Sequence, residues 1–108
     1  MSHEVLLTED AQRDLIDIYT YIAEHDSLAH AEHVLDRIEL VLDSLAENSQ
    51  RGSYPKELAE LGIREYRQVF FKPYRMIYRV LDKRVYVYVL VDGRRDMQTL
   101  QASRLFIV

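Results

Sequence analysis

The stretch YRQVFFKPYRMIYRVLDKRVYVYVLV, Tyr66 to Val91, decides the fold. It divides into three runs rich in β-branched and aromatic residues, Tyr66–Phe71, Tyr74–Val80 and Val85–Val91, with Lys72-Pro73 and Asp82-Lys83 as turn dipeptides. Breaks this short join neighbouring antiparallel strands, so the reading is a meander of hairpins. Counting outward from two two-residue turns places Met76 between Val69 and Val89, and Tyr78 between Arg67 and Val87. With Val80, Val85 and Val91 these residues form one face, a natural seat for helices. The other face carries Tyr66, Gln68, Phe70, Arg75, Ile77, Arg79, Tyr86, Tyr88 and Leu90. It mixes arginine, tyrosine and aliphatic side chains, and function is expected there.

Upstream lies the material for those helices. Glu4-Val5-Leu6-Leu7 reads as an opening strand. Thr8 supplies a hydroxyl N-cap, and Glu9 and Asp10 place acids at the positive end of a helix dipole. Ala11, Leu15, Ile18, Tyr19 and Ile22 then recur at helical spacing, with Arg13, Asp14, Asp17, Thr20 and Glu24 largely outside the stripe and an end near His25. After Asp26, Ser27 caps a second helix with the stripe Leu28, Ala31, Leu35, Ile38, Leu42 and Leu45, widened by Val34 and Val41. So short a break implies an antiparallel helical hairpin. Residues 48–53 form a loop, and Pro55 opens a short helical turn that Gly62 stops. Downstream of the sheet, Asp92–Asp96 is a polar turn, and Met97–Leu105 is expected as a short terminal helix or tail. Leu105–Val108 is expected to pack on the sheet. The fold expected is α+β: an N-terminal strand and helical hairpin on an antiparallel meander, in one domain over residues 1–108.

Charge is distributed unevenly. The net value of −4 combines twelve acids and two bases in residues 1–50 with six acids and twelve bases in residues 51–108. The second half therefore presents basic surface that the net value conceals. Cysteine is absent, which excludes disulfides and thiolate metal sites. There is no run long enough to span a bilayer and no signal-like leader at Met1–Glu4, so a soluble cytoplasmic protein without a membrane partner is expected. Glycine-rich phosphate loops are missing as well. His3, His25, His30 and His33 all lie in the first third, and the His30/His33 pair reads as helix surface, so neither metal nor cofactor is expected. What remains is Arg64, Arg67, Arg75, Arg79, Arg94 and Arg95 with Tyr66, Tyr74, Tyr78, Tyr86 and Tyr88. Guanidinium forks grip phosphate or carboxylate, and tyrosine planes stack, so this face suits RNA or a protein partner. The competing structural reading is that tyrosines are good strand formers and arginine stems cover apolar surface.

The order of the helical hairpin, Arg51-Gly52, Glu57-Leu58, Gly62, Tyr66-Arg67, Pro73 to Val80 and Val91-Asp92-Gly93-Arg94-Arg95-Asp96 resembles the RelE/ParE toxin superfamily across nearly the whole chain. The resemblance implies a type II toxin whose cognate antitoxin wraps it with a C-terminal segment. RelE-like members cleave messenger RNA on the ribosome, and under that alternative Arg75, Arg94 and Arg95 match the charge-stabilising arginines. A late tyrosine or histidine expected for proton transfer is missing, since no tyrosine follows Tyr88 and no histidine follows His33. Only Tyr86 and Tyr88 are left to stand in, and Asp92 places a carboxylate where related chains often have histidine. ParE-like members lack that catalytic set and poison DNA gyrase by binding, and the chain resembles these more. Under that preference Arg67, Arg75, Ile77, Arg79, Tyr86, Tyr88, Arg94 and Arg95 are the candidates for contact with target or antitoxin, and no residue is catalytic. A third possibility is an inactive relative that only binds its antitoxin. The acidic net charge departs from the basic character common in such toxins.

Overall fold

The structure, a computed structural model, describes residues 2–93. Arg94, Arg95 and the expected terminal helix or tail lie outside the described residues. The elements in order are β1 (Glu4–Leu7), α1 (Glu9–His25), α2 (Leu28–Asp43) with a 3-10 turn (Ser44–Ala46), α3 (Lys56–Ala59), β2 (Tyr66–Phe71), β3 (Tyr74–Leu81) and β4 (Arg84–Asp92).

Both long helices begin at the hydroxyls the sequence offers. Thr8 Oγ1 accepts from the Ala11 amide at 3.1 Å, and Ser27 Oγ accepts from the His30 amide at 3.0 Å. Each satisfies a first-turn donor that would otherwise face only water, a contribution of about 1 kcal/mol. The hairpin lies on the sheet, with α1 against β4 and α2 against β2. Ala11, Ile22, Ala31, Val34, Ile38, Leu42 and Leu45 meet Val69, Met76, Tyr78, Val85, Val87 and Leu90 there. Leu28, expected in the stripe, is exposed as the first residue of α2 at the hairpin tip, and Val34 carries the burial instead.

Strand order is β1-β4-β3-β2. Antiparallel pairing of β2, β3 and β4 is as expected, and β1 adds a fourth strand parallel to β4, pairing Val5 with Val85 and Leu7 with Val87. On β2/β3 the counted register is the observed one, with Val69 opposite Met76 and Arg67 opposite Tyr78. On β3/β4 it holds from Leu81/Arg84 to Tyr78/Val87 and then shifts by one, so that Ile77 faces Val89 and Met76 faces Leu90. An extra residue in β4 makes a bulge, and beyond it every side chain changes face. Leu90, not Val89 or Val91, therefore lies under the helices. Asp14 of α1, outside the apolar stripe, meets the shifted strand: its Oδ2 accepts from the Leu90 amide at 3.1 Å.

The opposite face is covered in part by α3. Gly62 takes φ +80, the Gly62 amide donates to Ala59 O, and the Ile63 amide reaches back to Leu58 O, the Schellman ending of a helix. Leu58 and Ile63 close over Tyr66, Ile77, Tyr88 and Val89 as a second apolar cluster.

Candidate functional site

Arg75 leaves β3 on this second face and is held on all sides. Its Nη1 donates to Glu57 Oε2 at 3.0 Å and its Nη2 to Glu57 Oε1 at 3.3 Å, a bidentate pair. Its Nε donates to Gln68 Oε1 at 3.1 Å, and Nη2 donates to the same oxygen. Only 11% of the Arg75 side chain is exposed, against 40% for Glu57. The hydrogen bond from Arg75 holds the Glu57 carboxyl below its ordinary value, outweighing the opposing effect of burial. The chain passes directly over the arginine stem at Gly93. The Gly93 amide donates to Pro73 O at 2.6 Å, and a Cβ here would stand 3.0 Å from Arg75 Cγ. Glu57 and Gln68 are partners that no motif in the sequence marks. Gln68 was reachable from the register, because it sits diagonally from Arg75 across the β2/β3 ladder. Glu57 was not, since it comes from a different element.

Arg67 turns to the loop before α3. Nη1 donates to Gly52 O at 2.9 Å and Gln50 O at 3.3 Å, and Nη2 donates to the Tyr54 hydroxyl at 3.2 Å. Its guanidinium also lies 4.6 Å from the Tyr54 ring centre. Tyr78 secures the same loop from beneath: its hydroxyl accepts from the Gly52 amide at 3.0 Å and donates to Ser49 O at 2.7 Å. Burial raises the Tyr78 phenol above its ordinary value. Gly52 is required there, because a Cβ would lie 2.6 Å from Gln68 O and 2.7 Å from the Tyr78 hydroxyl oxygen.

Arg79 stacks its guanidinium 5.9 Å from the Tyr66 ring centre, and Arg64 lies 5.9 Å from that of Tyr54. Arg64, Arg67 and Arg79 line one shallow cleft with Gln50 and Glu65. Ile77 and Tyr88 are buried under α3, where Tyr88 meets Tyr66 edge to face at 5.7 Å, and Tyr86 sits half-buried at the border of that cluster. The candidates therefore separate into a locked arginine (Arg75), a loop anchor (Arg67), buried packing residues (Ile77, Tyr88) and a partly open rim (Arg79, Tyr86). The histidines are dispersed: His25 stacks on Tyr21, His30 pairs with Asp26, and His33 meets Phe71 edge to face. No cluster of three or more metal-ligating side chains occurs among the described residues. No helix there is long and apolar enough to cross a membrane.

A sequence model of the family described as "ParE toxin of type II toxin-antitoxin system, parDE" matches residues 5–97. No curated protein sequence matches the chain. Among solved structures, the chromosomal ParDE toxin–antitoxin system from P. aeruginosa is similar with a TM-score of 0.71 at 18% identity, over 84% of this chain and 96% of that one. The toxin–antitoxin complex RelBE2 from Mycobacterium tuberculosis is similar with a TM-score of 0.62 at 18% identity, over 85% and 99%. At such identities these likenesses concern the fold.

Proposed function

The chain belongs to the ParE toxin family of type II toxin–antitoxin systems, and from that premise we propose that it arrests growth by binding DNA gyrase in the cytoplasm rather than by cutting RNA. The observation that carries this choice is the state of Arg75. Cleavage of a phosphodiester by its own 2′-hydroxyl needs cations directed at the phosphoryl oxygens and a proton-transfer group beside them. Here the arginine best placed by sequence is gripped bidentately by a carboxylate and again by an amide, and is nearly buried. A phosphate would have to displace Glu57 to reach it. The tyrosines left to stand in, Tyr86 and Tyr88, sit half-buried and buried in the apolar cluster under α3.

Neutralisation falls to a cognate antitoxin whose C-terminal segment wraps the toxin. Ile16, Tyr21, Leu28 and Leu40 on the helices, with Leu61 and Phe70 elsewhere, are exposed apolar side chains of the kind a folding-on-binding segment covers. Arg67, Arg79, Tyr86, Arg94 and Arg95 are the polar and aromatic contacts this reading assigns to target or antitoxin. The test is a gyrase supercoiling assay with purified toxin, with and without the protein encoded beside it. Loss of supercoiling with accumulated cleaved DNA, reversed by the neighbour, is the expected result. Growth arrest with gyrase untouched and ribosome-bound messages cut would overturn it.

A further inference from the structure

Three arginines gather where β2 begins and β3 ends. Arg64 precedes β2, Arg67 lies within it, and Arg79 sits opposite Tyr66; all three line the same open cleft. The ion pairs among the described residues are Arg13–Asp10, His30–Asp26, Arg75–Glu57 and Arg84–Glu4. The three cleft guanidiniums thus have no carboxylate partner among the described residues, although Glu65 stands at the rim. Their planes are braced on phenol rings, Arg64 and Arg67 over Tyr54 and Arg79 over Tyr66, which orders them at little further entropic cost. Arg67 is fixed further by the carbonyls of Gln50 and Gly52. The contrast with Arg75 is chemical: one guanidinium is neutralised internally, and three are held in place and left charged.

We propose that this cleft holds phosphate groups of a DNA backbone, so that the toxin touches the duplex in gyrase's grasp as well as the enzyme. The inference rests on the gyrase reading and extends it. Arg64 and Arg79 can direct guanidinium donors at the tetrahedral oxygens of a phosphodiester, while Arg67, its Nη donors engaged by Gln50, Gly52 and Tyr54, adds positive charge beside them. Five of the seven residues lining the cleft are polar or charged, with Val80 and Leu81 the only aliphatic ones, which suits a phosphodiester better than the apolar anchors a peptide partner brings. The acidic helical hairpin repels a duplex laid along it, which confines contact to this end of the sheet and to a few phosphates.

The experiment measures binding of a short fluorescein-labelled duplex to purified full-length toxin by anisotropy, at several salt concentrations. Arg64→Glu with Arg79→Glu should lower affinity at least about tenfold and flatten the salt dependence by roughly one slope unit per lost phosphate contact. Arg13→Glu, the same charge change on α1, should alter affinity less than about twofold. Because Arg79 braces Tyr66, Arg64→Glu alone is measured too, its side chain being exposed; about a threefold loss is expected with an unchanged melting temperature. Equal losses from Arg13→Glu and the cleft variants would overturn the site, as would undiminished DNA binding accompanied by weakened antitoxin association. Supercoiling assays on the same wild-type protein score the parent reading separately. Gyrase inhibition without any duplex binding removes only the phosphate site, and duplex binding without gyrase inhibition removes only the gyrase target.

Discussion

Two side chains show how a single residue's surroundings decide its chemistry. Arg75 can be read from sequence as a clamp for phosphate or as a structural cation, and its bonds to Glu57 and Gln68 support the second. Because Glu57 has a lowered pKa when folded, its contribution is present above the ordinary carboxylate range and is lost as pH falls through that range toward the folded value. Glu57→Gln should therefore cost about 1–2 kcal/mol at neutral pH, discounted for the carboxylate's partial exposure, and almost nothing in acid. Urea unfolding of both proteins at neutral and acidic pH measures the difference. Equal losses at both would remove the ion pair from the account. Tyr78→Phe should destabilise by roughly 1–3 kcal/mol, since the buried Gly52 amide and the Ser49 carbonyl lose their shared partner. Thermal melting checks this, and proteolysis should place the first cuts in the 49–54 loop. Nothing in the strand pattern announced that hydroxyl's role. Tyrosine reads as a strand former, and its partner loop lies 26 residues away.

Among the elements, helix starts were legible to the residue and the last strand was not. Thr8 and Ser27 cap the helices they were expected to cap, because an N-cap is a local bond between neighbours in sequence. The register of β2 against β3 was equally open to counting. β4 defeated the count because VYVYVLV alternates valine with tyrosine and leucine, all acceptable on either face, so the pattern carries no mark where the bulge enters. Asp14, reaching over from α1, caps the amide next to that irregularity. Mutation distinguishes the two registers. Leu90→Ala should cost about 2–4 kcal/mol, as a large side chain removed from beneath the helices. Val91→Ala, on the other face and half-buried, should cost about 1 kcal/mol or less. Unfolding midpoints in denaturant would reverse their order if the regular register were correct. The parallel placement of β1 was likewise invisible, since the short run Val5-Leu6-Leu7 does not specify its neighbour or its direction.

At the scale of the whole molecule, acidic helices and a basic sheet end explain why the net charge of −4 is a poor guide to surface chemistry. Pattern alone conveyed the sandwich of hairpin and sheet. The clustering of Arg64, Arg67 and Arg79 at one corner required the folded chain, because these residues become neighbours through a strand reversal. The seating of β1 has a further effect. Residues 4–7, made long before β4, are held by residues 84–87, and Asp14 waits for Leu90. A chain growing from its N-terminus thus exposes a helical hairpin with an uncovered apolar flank until β4 has been synthesised. A version ending before Arg84 should give broad, non-cooperative melting and rapid proteolysis; a sharp transition would refute the point. Prematurely terminated messages would then yield no folded toxin, only unfolded chain for proteases. For a toxin of this family, the folded molecule is confined to chains translated through β4, because only these can close the sheet over the helices.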